Sequence, residues 1–160
     1  MTSVTDPLGN LTQFAYDANG NLTTITDPLL NRTTVTYDAF GQPLSTTDPL
    51  LNASTFTYDS QGNLATVADP FGNTTTRQYD AVSRLVRQTD PRRRSTTLAY
   101  DPLNRTTGIS DPIGGTTRFA YDGNGNVSTV ADPQSNATAC TYDAVIAVVE
   151  ITSLVSLAGD

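Results

Sequence analysis

Short stretches of alternating apolar and polar residues recur along the chain, each bounded by Asp, Asn, Gly or Pro. "TTVTY" ending at Tyr37, "STFTY" ending at Tyr58 and "TTRFAY" ending at Tyr121 are rich in Thr, Val, Phe and Tyr. Such residues suit a pleated, half-buried surface, and each stretch holds a strand of roughly 5–6 residues. Phe14 and Tyr16 stand two apart and therefore point the same way. The same pairing recurs as Val35 with Tyr37, Phe56 with Tyr58, Leu98 with Tyr100 and Phe119 with Tyr121. One face of the predicted sheet is thus apolar and aromatic, and the other is rich in Thr. The intervening strands read differently. In "LTTIT", Leu22 and Ile25 are three apart. They point to opposite faces unless a bulge intervenes, and the pattern alone leaves that open.

The boundaries between strands read as turns. Asp17-Ala18-Asn19-Gly20-Asn21 and Asp6-Pro7-Leu8-Gly9-Asn10 share the form Asp-x-x-Gly-Asn. Asp at the first position bonds the backbone two residues on, Pro at the second presets φ, and Gly at the fourth supplies the positive φ that closes a hairpin through a bulge. The spacing is invariant at 21 residues. Tyr16, Tyr37, Tyr58, Tyr79, Tyr100, Tyr121 and Tyr142 are followed by Asp17, Asp38, Asp59, Asp80, Asp101, Asp122 and Asp143. Gly20, Gly41, Gly62 and Gly125 occupy the fourth turn position of this series, with Ser83 and Asn104 in the two degenerate copies. A second series runs Asp6, Asp27, Asp48, Asp69, Asp90, Asp111 and Asp132, each followed by proline, as in Pro28, Pro49, Pro70, Pro91, Pro112 and Pro133.

The repeat defines the fold class. Each unit is strand, turn, strand, turn, and the chain is predicted to be all-β: a repetitive antiparallel meander of about fourteen short strands. Each unit contacts mainly its neighbours, so the array is quasi-one-dimensional. Residues 1–145 form the array. Residues 146–160, beginning in "VIAVVEITSLVSLAG", form an apolar tail outside it, read as a cap or as a frame-shifted end.

Composition narrows the chemistry. The 160 residues include no His and no Trp, and all nine basic residues are Arg, for a net charge of -7. Without His or Lys the common nucleophile–base pairs are missing, so no catalytic residue and no cofactor is expected. Paired carboxylates recur identically in every repeat, where each already has a turn to make. Asp and Asn oxygens at turns are also hard ligands for Ca²⁺, but turn stereochemistry explains their spacing, and no metal site is assigned. Aromatic rows could follow a sugar chain, against the plainer reading that they pack the sheet's own apolar face. Seven of the nine arginines fall in residues 77–105, including Arg92-Arg93-Arg94; this is either an anion or partner patch or a solvated loop in a decaying repeat. Cys140 takes the position of Phe14, Phe56 and Phe119 and reads as a small buried residue. The acidic balance disfavours nucleic acid, and no apolar run is long enough to span a membrane as a helix.

Tyr-Asp-x-x-Gly-x-Leu followed by Thr-x-Asp-Pro-x-Gly-Asn resembles the YD repeat of the RHS (rearrangement hotspot) family, over residues 1 to about 145. The family includes polymorphic-toxin proteins, components of insecticidal toxin complexes and the teneurins. The resemblance implies a long sheet spiralling into a hollow shell around a C-terminal toxin, or displayed as an adhesion module at the cell surface. No counterpart of the family's self-cleaving core segment is recognised. The chain is accordingly read as a non-catalytic segment of a larger, secreted or cell-surface RHS protein. Its partners would be the remaining repeats and the C-terminal domain of that parent, with edge-to-edge self-association through unpaired strands. The alternative is a surface module that binds carbohydrate or another cell-surface partner.

Overall fold

The computed structural model describes residues 2–143 and 148–154. Residues 144–147, where the array was expected to end, lie outside the described residues. Contacts divide the chain into two units, Met1–Arg77 and Gln78–Asp160. The first holds β1 (Thr2–Thr5), β2 (Leu11–Tyr16), β3 (Leu22–Thr26), β4 (Arg32–Tyr37), β5 (Pro43–Thr47), β6 (Ala53–Tyr58) and β7 (Leu64–Ala68). The division falls inside β8 (Thr74–Tyr79). The second holds β9 (Leu85–Thr89), β10 (Ser95–Tyr100), β11 (Thr106–Ser110), β12 (Thr116–Tyr121), β13 (Val127–Ala131), β14 (Ala137–Tyr142) and β15 (Val148–Leu154). All are strands, and within each unit they lie in chain order, each antiparallel to its neighbour. Strands ending in tyrosine have six residues and those between them five. With two five-residue turns, these lengths fill the 21-residue period.

Register resolves the question of Leu22 and Ile25. Phe14 lies opposite Ile25, Ala15 opposite Thr24, and Tyr16 opposite Leu22. The shift between Ala15 and Tyr16 leaves Thr23 as the extra residue of a β-bulge. Its hydroxyl donates to the Ala15 carbonyl at 3.2 Å. The bulge turns Leu22 back to the face that carries Ile25, Phe14 and Tyr16. The same shift pairs Tyr58 with Leu64 and Phe56 with Val67 in the first unit. In the second it pairs Tyr121 with Val127 and Phe119 with Val130. β3, β7 and β13 therefore each contribute two apolar residues to the aromatic face, at a spacing of three, whereas Thr46, Gln88 and Thr106 take one of the two places in β5, β9 and β11.

The other face carries hydroxyls. Thr36 and Ser45 bond across the ladder at 2.7 Å, and Thr57 and Thr66 at 2.6 Å. In the second unit Ser110 and Thr116 do so at 2.8 Å.

Burial departs from expectation. The sequence suggested that the aromatic face packs away from water, yet no apolar side chain is buried among the described residues. Phe14, Leu22, Ile25, Phe56 and Phe119 are half-buried by their lateral neighbours, and Cys140 is likewise half-buried rather than buried. The physical reason is that each unit is a single layer: cross-strand contacts cover the sides of a side chain, and none of the described residues of its own unit covers its end. Gly108 is the one buried residue among those described.

The tail joins the ladder. β15 lies on β14, with Val148 opposite Tyr142 and Ile151 opposite Cys140, across the same register shift. These are the places that Val127 and Val130 take one repeat earlier. The five-residue signature L-x-x-I thus continues at Val148 and Ile151 although the Asp-Pro does not.

Candidate functional site

The aspartates that mark the repeat organise its turns. In the first Tyr-Asp turn, one carboxylate oxygen of Asp17 accepts from the backbone N–H of Asn19 and of Asn21, both at 2.9 Å. The other accepts from the Asn21 side chain at 2.9 Å. The backbone closes the same ring, with the Gly20 N–H donating to the Asp17 carbonyl and the Asp17 N–H to the Asn21 carbonyl. Asp6, Asp27, Asp48, Asp59, Asp69, Asp122 and Asp132 repeat the arrangement with Asn10, Asn31, Asn52, Asn63, Asn73, Asn126 and Asn136. Asp38 and Asp111 make the two backbone contacts with one oxygen. Pro28, Pro49, Pro70, Pro91, Pro112 and Pro133 sit exposed at the second turn position.

The fourth position of each turn has positive φ, as at Gly20 (87°), Gly41 (80°), Gly62 (84°) and Gly125 (91°). Ser83 and Asn104 take it too, at 63° and 64°. Leu30, Leu51, Arg93 and Ser135 do the same at 65°, 66°, 63° and 69°. Sequence reading missed the two leucines. The signal was their place three residues after Asp27 and Asp48.

In both units tyrosines tie their repeat to the one before. The Tyr37 hydroxyl donates to the Leu22 carbonyl at 2.9 Å, and Tyr58 to Pro43 at 3.0 Å. In the second unit Tyr100 reaches Leu85 at 2.8 Å, Tyr121 reaches Thr106 at 2.7 Å and Tyr142 reaches Val127 at 2.9 Å. Every acceptor lies 15 residues upstream, opposite the previous tyrosine or its equivalent.

Three of the seven arginines of residues 77–105 take structural places in their turns, while the Arg92-Arg93-Arg94 run lies exposed. Arg84, Arg94 and Arg105 stand where other turns have Asn, and each donates through Nε to its own aspartate: Asp80 at 2.6 Å, Asp90 at 2.7 Å and Asp101 at 2.7 Å. Arg84 also reaches the Asp101 carbonyl and the Asn104 side chain, at 3.1 and 2.8 Å. Its guanidinium lies 4.8 Å from the Tyr100 ring, as that of Arg105 lies 4.5 Å from Tyr121. A long, rigid fork reproduces the Asn contact and adds a stacked cation.

The signature residues thus converge on one another within each repeat. The backbone N–H groups of Arg94 and Arg105 first, then desolvation in opposition and their side chains, set Asp90 and Asp101 below the ordinary carboxylate value. At Asp80 desolvation is the largest single influence, yet the donors of Arg84 and Val82 together outweigh it and the carboxyl is lowered too. Among the described residues no buried side-chain polar atom lacks a partner. Nor does any group of three or more His, Cys, Asp or Glu come together around a point that could hold a metal. Asp143 is followed by residues 144–147, which lie outside the described residues.

Identical turns, ties and bulges at a fixed period define a structural repeat array. The chain belongs to the RHS repeat family, whose model matches residues 1–32, 16–53, 37–74, 58–95, 79–112 and 100–137. Comparison with the curated proteins gives no match. Among solved structures, the Photorhabdus luminescens Tc holotoxin pore matches with TM-score 0.67 and 18% identity, over 88% of this chain and 9% of that one. The TcdB2-TccC3 crystal structure matches with TM-score 0.55 and 17% identity, over 97% and 11%. The same pair with Cdc42 gives 0.52 and 16%, over 92% and 10%. At these identities the likeness is one of fold. The chain spans about a tenth of the length of the structures it matches.

Proposed function

We propose that this array is wall: a stretch of an RHS-type shell that, in the intact protein, encloses or presents a toxin or adhesion domain. The observation that carries the reading is the uniformity of the repeats. Tyr58 and Tyr121 make the same tie, and Asp17 and Asp122 the same ring, so no one repeat stands out as a site. A surface that is the same along its length suits covering rather than catalysis. The aromatic face is half-exposed, which fits the inside or outside of a wall that meets another body. The remaining repeats and the C-terminal domain of the parent would be its partners, and the parent would be secreted or held at the cell surface.

Electron microscopy of the protein expressed from the whole locus tests this. A hollow particle with Tyr-Asp repeats in its wall is the expected result. An extended rod, or repeats that do not continue on either side of this reading frame, sinks it.

A further inference from the structure

In the first unit the two sets of turns lie on opposite edges, and the edges differ in character. The Tyr-Asp edge presents Ala18-Asn19, Ala39-Phe40 and Ser60-Gln61 at its tips, with Phe40, 90% exposed, its single large apolar tip. The Asp-Pro edge presents Leu8, Leu29, Leu50 and Phe71, each more than four-fifths exposed at 88%, 82%, 81% and 87%. On its two middle turns the next residue is also leucine, Leu30 and Leu51, at 78% and 83% exposure. Those two leucines hold positive φ, where Gly9 and Gly72 stand on the flanking turns of the same edge. The positive φ is required by the turn itself, as at Ser83 and Arg93, but nothing in the turn calls for a large apolar side chain held in water. Such a row of exposed apolar tips points to a surface in use.

We propose that this Asp-Pro edge docks a second copy of the same array, edge against edge, with leucine tips seated between the turns of the partner. The fit is one of period. Turns on this edge recur every second strand, about 9.5 Å apart, and a second copy has that spacing too. Between the turns at 27–31 and 48–52 lies a cleft of about 400 Å³, bordered by Leu30, Arg32, Thr47, Asp48, Pro49 and Leu51. Its apolar rims receive a leucine tip. Its exposed arginine receives the carboxylate-bearing turn from which that tip projects. Because the same patch serves both partners, the contact is isologous. A few interlocked tips bury less than the roughly 1,000 Å² of a stable dimer, so the association is weak and concentration-dependent. The docking does not depend on what the wall encloses.

Sedimentation velocity of the full chain over a wide concentration range tests this, with Leu30→Gly/Leu51→Gly and Leu29→Ser/Leu50→Ser beside it. The Gly pair removes strain and side chain together, so its melting temperature rises while its half-association concentration rises by about tenfold or more. The Ser pair shows the same loss of association. Pairing through free strand edges would leave both variants associating like the parent, and that outcome overturns the proposal. A chain that stays monomeric to its solubility limit also overturns it. So does one whose leucine variants lose binding to phosphatidylcholine vesicles with self-association unchanged, since the occupant is then lipid. A hollow parent particle together with a monomeric chain defeats this proposal and leaves the shell reading intact.

Discussion

The Tyr37 hydroxyl donates to the Leu22 carbonyl at 2.9 Å, across the one turn, residues 27–31, that separates their strands. Leu22 lies opposite Tyr16, so one tyrosine holds the backbone beside the tyrosine of the repeat before it. In a sheet without a covering layer, such ties and the turn rings supply much of the order that a core would give.

Tyr37→Phe keeps the ring and deletes the donor. It leaves a half-buried carbonyl without its partner and is expected to cost about 1 kcal/mol, with Tyr121→Phe costing a similar amount. The sites share no partner, so the double variant should cost close to the sum. Urea unfolding of the three variants checks both points. A null effect at both positions would mean that water replaces the tie.

Backbone strain should be removable. Leu30→Gly and Leu51→Gly relieve a left-handed leucine, offset in part by the freedom of glycine in the unfolded chain, for a net gain of about 0.5–1 kcal/mol each. Gly20→Ala is the mirror case. No atom crowds its Cβ position. Its expected cost of about 1 kcal/mol is therefore conformational alone. Thermal melts of the three variants should move in these opposite directions.

Acid stability follows from the turn rings. Side-chain donation from Asn21, Asn52, Asn63 and Asn126 is the main cause that holds Asp17, Asp48, Asp59 and Asp122 below their ordinary value of 3.8. A carboxylate with a lowered folded-state pKa contributes stability that is fully present above its unfolded value and lost as pH falls through the lowered one. Stability should therefore be insensitive to these groups at neutral pH and fall below pH 3.8. Asn52→Ala removes the side-chain donor to Asp48 and should shift the acid midpoint upward, as read by circular dichroism during acid titration. An unchanged midpoint would show that the backbone donors suffice.

Gly108 sits in β11 at ordinary backbone angles, where Thr24, Ser45 and Thr66 stand in other repeats. A Cβ there meets its nearest neighbour, that of Ala99, at an ordinary 3.8 Å. Gly108→Ala should raise stability by about 0.5 kcal/mol by narrowing the unfolded ensemble. A loss in urea denaturation would reveal a close approach at this buried point.

The turns were legible because stereochemistry writes them plainly: Asp to bond forward, Pro to preset φ, Gly to turn left. Tyr16 and Phe14 declared their common face through a spacing of two. Other features carried no such mark. The bulge at Thr23 has no residue signature, so Leu22 and Ile25 looked opposed until the ladder registers were known. Leu30 does not announce a left-handed backbone. Arg84, Arg94 and Arg105 read as charge because their role depends on reaching a carboxylate four residues back, a contact that Asn makes elsewhere. The tail was read by its missing Asp-Pro, while Val148 and Ile151 kept the strand pattern.

The tyrosine tie also bears on how such a gene can change. Its reach of 15 residues is shorter than the period of 21, so the acceptor of Tyr58, Pro43, travels with it in any 21-residue block that starts within the turn at residues 38–42. Unequal crossing-over that drops or adds one whole unit rejoins a chain in which every remaining tyrosine still finds its carbonyl. A deletion of 20 or 22 codons has no such escape, because it slips the pleat and throws the aromatic face to the other side. Length in these proteins is therefore quantised in the DNA before it is selected in the protein.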